Sequence, residues 1–192
     1  MVARRRVAGS CRLGKLWADL LARFPFVEIS SVTESAVVMH RMAARVFVYG
    51  TLKRGEPNHH WLTNKENGQA RFLGKGTTAV KFPLVVGTRY NIPFLLARPG
   101  EGNYIEGEVY EVDQAMFGKL DQLEDYPDYY DREEQAILTE QNETIQCWLY
   151  LIRNFPEKIL AKPLLSSYHN TPVQPYSENY QDSRPEDLET DD

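Results

Sequence analysis

Between Val46 and Ile152 the chain is cut into short runs rich in β-branched and aromatic residues: Val46 to Tyr49, Arg71 to Thr78, Phe82 to Val86, Ile92 to Ala97, Tyr104 to Val112, Gln135 to Leu138 and Thr144 to Ile152. Gly68, Gly74, Gly87, Asn91, Pro99-Gly100, Gly102-Asn103 and Gln141-Asn142 punctuate them. These spacings suit antiparallel pairing through turns and are too short for the crossover helices that parallel neighbours require. A clear 3.6-residue period appears once in this region, from Asp113 to Asp125, with Asp113 as N-cap and Pro127 as the stop. A shorter helix is expected from Asn58. The pattern predicts a small barrel-like sheet with little helix.

A chain of 192 residues supports one good core, expected over residues 45–175 with tails on either side. Residues 1–44 are basic, with Arg4, Arg5, Arg6, Arg12, Lys15, Arg23 and Arg41 against Asp19, Glu28 and Glu34. Leu13, Leu16, Trp17, Leu20, Leu21 and Phe24 recur there at helical spacing, the pattern of a mitochondrial transit peptide. The alternative is an upstream extension before an internal start at Met39 or Met42. Residues 176–192 are acidic and almost devoid of apolar side chains, so a solvated, disordered tail is expected. The net charge of −5 argues against general attraction to nucleic acid or an anionic membrane, and no run approaches the ~18 apolar residues of a membrane helix. Cys11 and Cys147 are far apart and belong to no CxxC or His/Cys cluster, which excludes a disulfide scaffold or structural zinc as an expectation and points to a reducing compartment.

Two features carry chemistry. The apolar run Val46-Phe47-Val48-Tyr49 breaks into Gly50-Thr51-Leu52-Lys53-Arg54-Gly55. Its GxxxxG spacing is not a phosphate loop, because Glu56-Pro57 stand where Lys and Ser/Thr are needed. Two readings stay open: an ordinary β-turn, or a turn whose unpaired N–H groups converge on an anionic or carbonyl oxygen. On the single core helix, Glu124 falls between Phe117 and Leu120 on the apolar side, whereas Lys119, Asp121 and Asp125 read as solvated. A carboxyl among apolar side chains is held toward neutrality, in the range useful for proton transfer; the bland alternative is an edge glutamate pairing with Arg132. His59 and His60 read as surface or loop residues and Cys147 as packing. Glu106 and Glu108 share a strand face, exposed or paired. Tyr126 to Tyr130 either line a pocket or plug a strand entry. No GxSxG elbow is present.

The segments "VFVYGTLKRGEPNHH", "YNIPFLLARPGEG", "IEGEVYEVD" and "KLDQLEDYPDYYDR", in this order and spacing, resemble the gamma-glutamylamine cyclotransferase family within the wider gamma-glutamylcyclotransferase-like, AIG2-like group. The likeness spans about residues 45 to 157. The YGTLKxGxPN form is similar to this branch rather than to the glutathione-acting ones. The resemblance implies an α+β fold, a small mixed, mostly antiparallel β-barrel with flanking helices and a cavity at its mouth. It implies a catalytic glutamate at Glu124 and a substrate-binding turn at Tyr49, Gly50, Thr51 and Leu52, with Tyr130 as a further pocket residue. The implied activity converts L-gamma-glutamyl-L-epsilon-lysine and related gamma-glutamylamines to 5-oxoproline and free amine, with no cofactor or metal. The expected partner is that small-molecule substrate, not nucleic acid or membrane, and no protein partner is read from the sequence. The alternatives are a non-catalytic binding protein and a cyclotransferase acting on gamma-glutamyl amino acids or glutathione. The expected compartment is cytoplasmic, or mitochondrial if residues 1–44 are a transit peptide.

Overall fold

The computed structural model describes residues 42–177; the basic front segment before Met42 and the acidic stretch after Ser177 lie outside the described residues. Strands β1 (Met42–Val48), β2 (Ala70–Thr78), β5 (Glu106–Asp113), β6 (Asp131–Thr139) and β7 (Thr144–Leu151) close into a barrel in the order β1-β5-β2-β6-β7. All neighbours are antiparallel except β1 and β7, which meet in parallel at Val46 and Trp148 and remove the free edges. The hairpin of β3 (Leu84–Gly87) and β4 (Ile92–Leu95) is bridged to the barrel through Leu96 and Ile152. Among the described residues, no helix is long and apolar enough to cross a membrane.

The apolar run in β1 is continuous because both faces are covered. Val46 and Val48 join Val112, Met116 and Leu120 in one packed cluster, while Phe47 and the following Tyr49 join Val109, Leu149 and Leu151 in another. At roughly 1.5 to 3 kcal/mol per fully buried large apolar side chain, these clusters fix the end of β1 against the rest of the barrel. Strand β6 starts four residues earlier than its apolar run suggests. Asp131 and Glu133, which break that run, both bind Arg153, so charge neutralisation lets polar residues occupy the ladder.

Helix α1 (His60–Thr63) is four residues long and begins two residues after Asn58, which opens a preceding turn. Helix α2 (Gln114–Leu123) has the expected cap, the Asp113 carboxylate accepting from Met116 N–H at 2.8 Å. Met116, Phe117 and Leu120 face inward. Its end differs from the expected stop at Pro127. Asp125 adopts φ 49°, a left-handed conformation that Asp tolerates better than most residues, and Tyr126 N–H reaches back to the Asp121 carbonyl at 2.9 Å. This is a Schellman-type stop, and it makes Glu124 the C-cap residue rather than a member of the last helical turn.

Candidate active site

The end of β1 delivers Tyr49 and the turn that follows it to a cavity of about 490 Å³, whose lining includes Tyr49, Gly50, Thr51, Leu52, Glu124 and Tyr130. The two separate sequence signals therefore meet in one place. The turn is tightly built. Gly50 passes so close to the hairpin that a Cβ there would lie 2.7 Å from Pro93 Cγ, which excludes any side chain without movement. The Gly50 carbonyl accepts from Lys53 N–H (3.2 Å), the Thr51 carbonyl from Asn58 N–H (2.9 Å) and the Leu52 carbonyl from His59 Nδ1 (3.0 Å). Facing a carbonyl, His59 Nδ1 is the protonated nitrogen. The carbonyls are thus occupied. Among the described residues, none accepts from the N–H groups of Gly50, Thr51 or Leu52.

Glu108 holds the turn from behind. It is buried and accepts from Arg54 N–H at 2.9 Å and from the Tyr110 hydroxyl at 2.8 Å, while Arg54 lies over the Phe72 ring. The paired alternative for Glu108 is the one observed; Glu106, on the same strand face, is exposed.

Glu124 is half-buried and faces the cavity from the end of α2. Burial, which disfavours its charged form, pushes its carboxyl up from 4.5 to about 7. The pairing of Glu124 with Arg132 that the sequence also allowed is not the one formed: Arg132 binds both oxygens of Asp121 (2.5 and 2.7 Å) against the rings of Phe117, Tyr126 and Trp148. Asp121, expected to be solvated, is half-buried and also accepts from the Tyr150 hydroxyl at 2.8 Å. Asp125 is exposed as expected and Lys119 half-buried, and both are among the residues lining the cavity.

Phenols crowd the carboxyl. Tyr49 donates to the Tyr150 carbonyl at 2.8 Å, and its hydroxyl is raised well above the ordinary range by burial and by Glu124. Tyr130 is raised in the same direction by burial, with Tyr49 and Glu124 adding to it; its ring stacks on Phe94 and meets Tyr129 edge-on. Both stay protonated, and both are polar groups fixed in place. Of the segment Tyr126 to Tyr130, Tyr129 and Tyr130 contribute cavity wall. Cys147 is buried away from this lining, and burial pushes its thiol up to about 12. His60 is exposed, but the neighbouring His59 is part of the turn.

Sequence reading missed Asn58, Trp61, Pro93, Tyr150 and Tyr176 as cavity residues. Asn58 was legible only as a helix start. Tyr176, placed by composition at the head of the disordered tail, is packed, and Ser177 N–H donates to the Tyr90 carbonyl at 3.0 Å.

A closed barrel carrying a half-buried acid and a strand-end turn whose N–H groups have no described acceptor encloses a cavity sized for a small molecule. Residues 46–170 match the family model described as gamma-glutamyl cyclotransferase, AIG2-like, and the chain belongs to that family. It is 85% identical over 138 residues to a Drosophila melanogaster protein provisionally named gamma-glutamylcyclotransferase, covering 72% of this chain and 88% of that one. It is 39% identical over 132 residues to the gamma-glutamylaminecyclotransferase of Mus musculus, covering 65% and 89% respectively. The crystal structure of an AIG2-like protein from Mus musculus superposes with a TM-score of 0.67 at 40% identity, covering 70% of this chain and 95% of that one.

Proposed function

We propose that this chain is a gamma-glutamylamine cyclotransferase, acting without a cofactor on L-gamma-glutamyl-L-epsilon-lysine and related gamma-glutamylamines to release 5-oxoproline and the free amine. The observation that carries this reading is a carboxyl held near pH 7 in the same cavity as three amide N–H groups with no described acceptor. The mouse relative's name supplies the substrate class.

In this reaction the substrate's own α-amino nitrogen attacks its gamma-carbonyl carbon and closes a five-membered ring. Positioning supplies much of the acceleration, because attack within one molecule needs only that the chain be held folded. An α-amino group of pKa about 7.7 to 8.0 is partly protonated at neutral pH, and its nitrogen must shed a proton as the new C–N bond forms. Glu124 takes that proton. As the tetrahedral adduct collapses, the bond to the departing amine breaks and Glu124 returns the proton to its nitrogen, so the carboxylate is regenerated with no net change. A group with a pKa of about 7 is suited to both transfers. The N–H groups of Gly50, Thr51 and Leu52 stabilise the developing oxyanion, each donor contributing about 3 kcal/mol. Tyr49 and Tyr130 wall the reacting end with fixed hydroxyls and exclude water.

The test is to offer the purified full-length protein gamma-glutamyl-lysine, gamma-glutamyl-alanine and glutathione separately and to measure 5-oxoproline. Product chiefly from gamma-glutamyl-lysine is expected. Product chiefly from either of the others would replace the substrate class, and none from any would replace the enzyme by a binding protein.

A further inference from the structure

The cavity wall is completed by a segment that runs past the end of the family match at residue 170. Residues 168–177 cross from the substrate turn to the β3–β4 hairpin and are tied to both. On the turn side, the buried Lys53 Nζ donates to the Tyr168 carbonyl at 2.5 Å. Glu56 accepts from Asn170 N–H at 3.0 Å and pairs with His169 Nδ1 at 3.1 Å. On the hairpin side, Asn91 Nδ2 donates to the Pro175 carbonyl at 2.8 Å. Tyr176 N–H closes the segment on itself through Asn170 Oδ1 at 2.8 Å. Ten residues are thus strapped across the site, and the side chain they bring into the cavity lining is Tyr176.

The placement of that phenol is specific. The Asn58 carboxamide nitrogen donates to both the Thr51 hydroxyl (3.0 Å) and the Tyr176 hydroxyl (3.0 Å). One amide therefore locks Tyr176 beside the residue expected to hold the gamma-glutamyl group. Tyr176 and Tyr130 line the same cavity, and Tyr176 adds to the upward push on the Tyr130 hydroxyl.

We infer that Tyr176 is a specificity-determining residue, carried into the cavity by the strap and selecting among departing amines. This rests on the cyclotransferase reading. The gamma-glutamyl half is common to every substrate of that class, and the turn and Glu124 handle it, so discrimination between amines falls to the remaining wall. Of that wall, Tyr176 lies outside residues 46–170, the part this chain shares with the family model. A rigid aromatic ring with a polar tip suits an amine that carries both a methylene chain and a polar end, such as lysine.

The experiment compares full-length wild type, Tyr176→Ala, Tyr176→Phe and, as a strap control on a fully exposed side chain, Val173→Ala. KM and kcat are measured with gamma-glutamyl-lysine and gamma-glutamyl-methylamine. Tyr176→Ala is expected to raise KM for the lysine substrate about tenfold, KM for the methylamine substrate less than threefold, and to leave kcat within threefold. Tyr176→Phe, which keeps the ring, should restore most of the difference, and Val173→Ala should match wild type. Unchanged KM values, or equal increases for both amines, would overturn the inference. Calorimetric binding of gamma-glutamyl-lysine to Glu124→Gln, with and without Tyr176→Ala, separates the two readings. If wild type forms no 5-oxoproline, the cyclotransferase reading fails. Tenfold weaker binding without the phenol would still support a recognition role for Tyr176, and equal or absent binding would end it.

Discussion

Replacing Glu124 by Gln should make the protein inactive and more stable at once. The folded-state carboxyl titrates at about 7 against an ordinary value of 4.5. Between these two values the unfolded chain loses the proton while the folded chain keeps it. The native state therefore binds more protons, and stability falls as pH rises. The full displacement corresponds to about 3 kcal/mol, present below pH 4.5 and lost above 7. Gln has nearly the shape of the protonated acid and does not ionise, so the variant lacks this slope. In urea titrations from pH 4 to pH 8, wild type and Glu124→Gln should be nearly equal at pH 4 and differ by about 3 kcal/mol at pH 8, in favour of Gln. That is a sizeable fraction of an ordinary domain's 5 to 15 kcal/mol. Turnover of gamma-glutamyl-lysine should meanwhile fall by about 10² to 10⁴, and the acid limb of kcat/KM in wild type should titrate near 7. Parallel stability profiles for the two proteins would refute the claim that burial holds this acid neutral. Retained turnover would remove Glu124 as the base.

Gly50→Ala places a methyl group 2.7 Å from Pro93 Cγ, so overpacking should cost about 1 to 3 kcal/mol by denaturant titration, and displacement of the turn should depress kcat. Arg132→Ala removes the cation from half-buried Asp121, leaving it the Tyr150 hydroxyl alone, and uncovers Phe117, Tyr126 and Trp148; a loss of about 3 kcal/mol in the same titration is expected. Because burial pushes the Cys147 thiol up to about 12, peptide-resolved iodoacetamide labelling at pH 8 should leave Cys147 unmodified in the native protein and modify it in urea.

The features legible in the sequence were those encoded by local period. The strand at Val46, the helix cap at Asp113 and the position of Glu124 on the apolar side of α2 all follow from spacing along a few turns of chain. What was illegible depended on partners distant in sequence. Asp121 looks like a solvated helix residue until Arg132 and Tyr150, 11 and 29 residues on, fold over it. Glu108 reads as exposed or paired, with no partner nameable until the turn at Arg54 caps it. Tyr176 lies 118 residues from Asn58, in a stretch whose charge and lack of apolar residues read as disorder. Composition averages over such a stretch, whereas one aromatic ring with a docking amide is enough to order its start.

The end of α2 shows why the site sits where it does. A helix C-terminus carries partial negative charge from its unsatisfied carbonyls, so cations are favoured there and a carboxylate is opposed. Glu124 occupies the C-cap, no basic residue lies in the last turn, and the guanidinium of Arg132 is held by Asp121 one turn earlier. Each of these choices works against stability, and each disfavours ionisation of Glu124 in the same direction as burial. A salt bridge from Arg132 to Glu124 would stabilise the fold but would drop the carboxyl well below neutrality, where it takes protons poorly. Pairing that cation with Asp121 keeps the arginine's packing on Phe117, Tyr126 and Trp148 while the acid at the cavity has no ion-pair partner among the described residues.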